Sequence, residues 1–151
     1  MDKLRRQLAA QYHGPTPPGG LPLQACPAPG SSFTDDFGAP RGGGRSHEGI
    51  DMLAPFGTPI RAAQSGRFQQ DYNGLGGISA LVYAGNGDYT YYAHMEGYAG
   101  VGNGATVSAG TVIGYVGNTG DASGGPPHLH FEYHPGGGGA VDPYSYLVAL
   151  C

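Results

Sequence analysis

Four of the six histidines in this 151-residue chain fall in three short segments, and an aspartate joins them. His47 and Asp51 bracket the run His47-Glu48-Gly49-Ile50-Asp51. His94 closes the aromatic run Tyr89-Thr90-Tyr91-Tyr92-Ala93-His94, and His128 and His130 alternate in Pro127-His128-Leu129-His130-Phe131-Glu132. Imidazole nitrogens and a carboxylate oxygen are the donor set of a mononuclear zinc hydrolase. Such a site takes three protein ligands and keeps a fourth position open for the water that is activated. Two imidazoles are then left over for proton transfer and charge stabilisation.

Each segment needs an element to aim it. Read as a strand, His128–His134 places His128, His130 and Glu132 on one face and Leu129, Phe131 and Tyr133 on the other. The second face packs, and the first looks into a cleft with two ring nitrogens near one point. His47 and Asp51 have helical spacing, but their Gly-rich and Pro-rich flanks form helices poorly. A bent segment entering a strand is expected instead, with Gly49 supplying the turn. The pattern is not HExxH, because an aspartate stands where the second histidine would be, and Glu48 reads as a solvated residue. In a strand ending at His94, Thr90, Tyr92 and His94 share a face. His13 and His134 lie in Pro/Gly-rich surroundings and read as residues without a catalytic part.

The rest of the chain must supply those elements. Thirty glycines and thirteen prolines punctuate short runs rich in Ile, Val, Tyr and Phe, as turns separate strands. Strand candidates are Pro59–Gln70, Ile78–Ala84, Tyr89–Met95, Thr111–Val116 and His128–His134. Gly85-Asn86-Gly87-Asp88 is a hairpin signal between the second and third. No helical period persists beyond Met1–Tyr12, where Leu4, Leu8 and Tyr12 make one narrow apolar edge, too short for a stable helix alone. The expected fold is all-β, a mostly antiparallel sheet with long Gly-rich loops. Residues 1–25 read as a tail and a Pro/Gly-rich linker, and 26–151 as one folded domain.

Composition removes several function classes. The net charge of −4 offers no Lys/Arg stripe for a nucleic acid. No apolar run is long enough to span a membrane, and Met1–Tyr12 lacks the apolar core of a signal peptide. Cys26 and Cys151 belong to no CxxC metal motif and read as a disulfide pair. That pairing implies an oxidising compartment, with a secretion signal absent from this sequence.

The chain resembles the lysostaphin-like (LytM-type) zinc metallopeptidases that cut peptidoglycan cross-links. The resemblance runs from about Phe33 to Leu147. It rests on Phe37-Gly38-Ala39-Pro40-Arg41, His47-x3-Asp51, Ala54-Pro55-x-Gly57-Thr58-Pro59, Tyr92-Ala93-His94, Val107-x2-Gly110-x2-Ile113-Gly114, Gly117-Asn118-Thr119-Gly120 and, most diagnostic, Pro127-His128-Leu129-His130-Phe131-Glu132. It implies a β-sheet core with an open groove, the family's duplicated hybrid motif, walled by the Gly-rich loops. It implies one zinc ion held by His47, Asp51 and His130, with His94 and His128 as catalytic imidazoles whose two roles could be exchanged. Tyr92 is open between a hydrogen bond to the reacting groups and packing.

The activity so implied is peptidoglycan endopeptidase, acting as a monomer on wall peptides in a secreted or cell-wall setting, whether of a bacterium or a phage. Two rivals stand beside it. A non-catalytic wall-binding or hydrolase-activating relative would lose metal ligands, and this chain keeps all five site residues. A zinc D-Ala-D-Ala carboxypeptidase or dipeptidase is expected to show a different pattern before its last histidine.

Overall fold

The computed structural model describes residues 22–151; the Leu4/Leu8/Tyr12 edge, His13 and most of the expected linker lie outside them. The strands are β1 (Ile50–Leu53), β2 (Pro59–Arg61), β3 (Gly66–Asn73), β4 (Gly77–Tyr83), β5 (Tyr89–Tyr98), β6 (Thr106–Val107), β7 (Val112–Val116) and β8 (His128–His134). They pair antiparallel in the order β1-β8-β5-β4-β3-β6, and β7 joins the end of β5 to β2. The all-β expectation holds. Among the described residues one short α-helix, α1 (Tyr144–Leu150), was not foreseen. Its seven residues bury only Leu147 and Ala149, too few to show a helical period.

Alternation drives the sheet. On β8, Leu129, Phe131 and Tyr133 are buried, whereas His128, His130 and Glu132 are only partly covered. Phe131 lies opposite Ile50 on β1 and Tyr92 on β5, so the apolar faces of three strands meet in one core with Met52, Ile60 and Ile113. Gly85–Asp88 makes the expected hairpin, closed by Ala84 N donating to Asp88 O at 2.9 Å. The run Pro59–Gln70, expected as one strand, divides into β2 and β3. The bend between them, residues 62–65, accepts from the N-terminal segment: Gln24 N donates to Ala63 O at 2.7 Å.

That segment belongs to the folded body. Leu23, which sequence reading assigned to the linker, is fully buried, as is Ala28. Cys26 is bonded to Cys151 at the end of α1, with Cα atoms 5.1 Å apart across 125 residues of chain. In the chain-entropy picture such a cross-link is worth roughly 3–5 kcal/mol, because it removes conformations from the unfolded chain.

Reduction, or the double replacement of Cys26 and Cys151 by Ser, is therefore expected to lower the melting temperature by on the order of 10 °C. Neither sulfur belongs to the histidine cleft, so activity at low temperature should persist. Calorimetry with and without reductant checks this; equal melting temperatures would contradict it.

Candidate metal centre

Strand register builds the centre. Asp51 on β1 lies directly opposite His130 on β8, and Ala93 on β5 lies opposite His130 from the other side. Facing residues of an antiparallel pair have Cβ atoms only about 5 Å apart, so their side chains meet. His47 comes from the segment that bends into β1. Gly49 sits in that bend for a reason other than the expected turn: a Cβ there would strike the Phe131 carbonyl oxygen and crowd the His130 ring. Its φ is not positive. Glycine is required by the close approach of the bend to β8, and that approach seats His47 over the β1–β8 pair.

Three donor atoms converge as a result. His47 Nε2 lies 3.0 Å from Asp51 Oδ1 and 3.0 Å from His130 Nδ1, and His130 Nδ1 lies 3.2 Å from Asp51 Oδ1. Among the described residues this trio is the cluster of His, Cys and acidic side chains with metal-binding spacing. Ligand atoms about 2.0–2.1 Å from a tetrahedral zinc lie roughly 3.3 Å from one another, so the spacing suits that ion.

The outer partners decide which ring nitrogens carry hydrogen. A carbonyl only accepts, so His47 Nδ1–H donates to Asp36 O at 3.0 Å and leaves the Nε2 lone pair facing Asp51. His130 Nε2–H donates to Glu132 Oε2 at 2.6 Å and leaves its Nδ1 lone pair facing the same point. Two lone pairs and a carboxylate oxygen directed into one small volume call for a positive charge between them.

The acid–base behaviour of the cluster says the same. Burial alone would raise the Asp51 carboxyl, yet the His130 and His47 rings against it hold it well below the usual carboxylate range. Burial would lower His130, but Asp51 and Glu132 outweigh it and push the ring up to about 9. A pair of carboxylates that favours a proton there favours a cation there. Arg41, absent from the expected site residues, places Nη2 3.4 Å from Asp51 Oδ2 and leaves Oδ1 to the histidines.

His94 reaches the same cleft by an irregular route. Strict alternation, which the sequence analysis expected through Thr90, Tyr92 and His94, would put it on the core face with Tyr92. Instead His94 is the one non-glycine residue with positive φ among the described residues, at 62°. The β4–β5 pairing shifts register there, and His94 N donates to Gly76 O at 2.7 Å. The bulge turns the ring to the cleft face, where its centroid lies 4.9 Å from that of His128.

The Gly117–Gly120 loop supports this turn. His94 Nδ1–H donates to Thr119 O at 2.7 Å, while Thr119 Oγ1 donates to Met95 O and accepts from Ile78 N. Gly120 lets the loop close in, with φ at 75° and no room for a Cβ beside the Leu75 carbonyl. His128 Nδ1–H donates to Pro126 O at 3.0 Å. His94 and His128 thus both present Nε2 to the cleft. His94 Nε2 lies 3.8 Å from Asp121 Oδ1, and His128 Nε2 lies 3.7 Å from Asp51 Oδ1. Burial lowers the His94 pKa, against a pull upwards from the Thr119 carbonyl.

All five expected site residues therefore line one cleft of about 390 Å³. Tyr92 does not: it is fully buried, and its hydroxyl accepts from Ala63 N at 2.8 Å, so packing is its part. Burial pushes its phenol up to about 12. Glu48 is exposed, as expected. Asp36, Arg41, Thr119, Asp121 and Glu132 were given no part in the site by sequence reading. Glu132 could have been found from its place on the His130 face; Asp36 and Thr119 act largely through backbone carbonyls, which carry no signature in residue type.

Comparison with known proteins places this geometry. The chain is 35% identical over 130 residues to the L-Ala–D-Glu endopeptidase of Bacillus subtilis, covering 78% of this chain and 40% of that protein. It is 44% identical over 91 residues to the DD-carboxypeptidase/endopeptidase Mpg of Neisseria meningitidis, covering 58% of this chain and 20% of that one. It thus spans less than half the length of these relatives. The crystallised catalytic domain of lysostaphin from Staphylococcus simulans superposes with a TM-score of 0.69 at 30% identity, over 78% of this chain and 92% of that domain. The model of peptidase family M23 matches residues 45–143. That span runs from the bend carrying His47 through β8, so every ring of the cleft lies inside it: the chain belongs to peptidase family M23.

Proposed function

We propose that this chain is a zinc-dependent endopeptidase that hydrolyses peptide bonds in the stem peptides or cross-bridges of peptidoglycan. The observation that carries the reading is the convergence of His47 Nε2, Asp51 Oδ1 and His130 Nδ1 beside two further rings that present Nε2 to the same cleft. The substrate class is supported by the relatives, whose names specify L-Ala–D-Glu and DD bonds. A disulfide suits an extracytoplasmic setting. No helix among the described residues is long and apolar enough to cross a membrane.

In this reading His47, Asp51 and His130 hold one zinc ion, and residues 26–151 form the catalytic unit, with Leu23 packed into its core. When bound, zinc supplies a Lewis acid that polarises the scissile carbonyl and brings the pKa of a water towards about 7. His128, whose Nε2 lies 3.7 Å from Asp51 Oδ1, takes the proton from the attacking water. His94 donates from Nε2 to the oxyanion that develops on the carbonyl. For that it must be the imidazolium, a form that Asp121 favours and burial opposes. Arg41 orients the carboxylate of Asp51.

The non-catalytic rival has no support in a cleft that retains all five side chains. The carboxypeptidase rival is not disposed of by the His128-x-His130 spacing, because the Neisseria relative carries both activities in its name. Product masses from purified muropeptides separate the two. Cleavage within a cross-link or stem is expected; release of a terminal D-Ala alone would overturn the endopeptidase reading.

The protein is expected to bind one zinc per chain, and His130→Ala to lose metal and hydrolysis together. Atomic absorption on the dialysed variant checks this, and undiminished zinc content would remove His130 from the ligand set. His94→Ala and His128→Ala are expected to keep the metal while turnover falls on the order of 100-fold or more. Much weaker zinc binding in either variant would place that ring among the ligands instead.

A further inference from the structure

Glu132 is a partly buried carboxylate that the mechanism above does not use, and His134 is a buried imidazole that sequence reading left without a part. They sit at alternate positions after His130 on β8 and form one hydrogen-bonded row with it. Glu132 Oε2 accepts from His130 Nε2–H at 2.6 Å, and Glu132 Oε1 accepts from His134 Nε2–H at 2.7 Å. His134 Nδ1–H donates to Gly138 O at 2.8 Å. Both nitrogens of His134 face atoms that can only accept, so both carry hydrogen and the ring is a cation. Tyr89, opposite His134 on β5, stacks on it with centroids 4.2 Å apart and planes 12° apart.

This row fixes an orientation. A metal-ligating His130 keeps its Nδ1 lone pair free and donates from Nε2 to Glu132 Oε2. His134 takes the second carboxylate oxygen, so Glu132 cannot rotate away from His130. That holds one tautomer and one ring orientation at His130.

We propose that His134 is a positioning residue of the metal centre, fixing through Glu132 the His130 ring with Nδ1 directed at the point where His47 and Asp51 converge. The proposal rests on the reading of His130 as a zinc ligand. Partners of this kind, one step removed from the metal, typically change its affinity 10–100-fold.

The test is zinc affinity of the whole chain, measured by competition with a chromophoric chelator, together with the d–d absorption of the cobalt(II)-substituted protein. His134→Phe keeps a ring for Tyr89 and removes both donors. His134→Gln restores a donor where Nε2 stood. Zinc affinity is expected to fall 10-fold or more in His134→Phe, with an altered cobalt spectrum, and to recover most of that loss in His134→Gln. Glu132→Gln should weaken zinc at least as much, and adding His134→Phe to it should cost little more.

His134→Phe within about twofold of wild type, or His134→Gln no better than His134→Phe, would overturn the proposal by leaving His134 as a support for the Gly138 turn only. Should His134→Phe not fold, Glu132→Gln decides, since unchanged zinc affinity there leaves no row to position. Wild-type protein that binds no zinc would overturn the metal reading itself, and this proposal with it. A tight wild-type site beside an equally tight variant removes the proposal alone.

Discussion

The register of β1 against β8 is the constraint on which the site depends. Asp51 faces His130, and on the same two strands Ile50 faces Phe131 and Met52 faces Leu129. Apolar and polar pairs alternate, so a slip of one residue would send the carboxylate and the imidazoles into the core and the apolar side chains into the cleft. Full burial of a Leu, Ile, Met or Phe side chain is worth roughly 1.5–3 kcal/mol. Four such residues, all at 0% exposure, hold the register that sets the donor atoms about 3 Å apart. The hydrophobic effect thus balances the repulsion between electron-rich ligand atoms.

A regular sheet could not complete the cleft. β5 lies beside β8, and its regular part buries Thr90 and Tyr92 on the core face. His94 crosses to the other face only because its backbone adopts φ of 62°, a conformation that costs of order 1–3 kcal/mol in a residue with a Cβ. Hydrogen bonds from His94 N to Gly76 O and from its ring to Thr119 O offset that cost. The Gly117–Gly120 loop therefore acts on the site without entering it: it keeps an unfavourable backbone in place so that a second imidazole can stand beside His128.

What the sequence carried of this arrangement follows from how local each cause is. Alternation on His128–His134 was legible because adjacent residues suffice to express it, and the Gly85–Asp88 hairpin likewise. The five residues that line the cleft could be named because donor atoms are written in residue type and their segments resemble those of a known family. The turn at His94 was not legible. A bulge is decided by Gly76 and Thr119, 18 and 25 residues away, and nothing in Tyr92-Ala93-His94 marks a change of face. Gly49 was noticed for the wrong reason, since the backbone it must avoid belongs to Phe131, 82 residues on. The division of Pro59–Gln70 into β2 and β3 depends on the N-terminal segment, which bonds to Ala63 in the bend. Helix α1 was missed because seven residues ending at a disulfide need no amphipathic pattern to stay folded.

The four rings of the cleft differ in what holds their outer nitrogens, and that difference sorts their chemistry. His47, His94 and His128 each donate from Nδ1 to a backbone carbonyl, those of Asp36, Thr119 and Pro126. A carbonyl fixes the tautomer and the ring plane without bringing a formal charge to the ring. In the proposed mechanism that suits His94 and His128, the two rings that exchange protons. His130 alone donates to a carboxylate, and from Nε2, so that Nδ1 faces the convergence point. A charged acceptor makes the ring a stronger electron donor, which suits a ligand that should not let go. Glu132 can do this only while its own charge is balanced within the sheet, and hydrogen bonds from His130 and His134 hold its pKa down to about 2 despite burial. In the proposed mechanism one strand thus carries a proton-transfer ring at His128 and a ligand ring at His130 two residues apart. The distinction between them lies in the partners of their outer nitrogens.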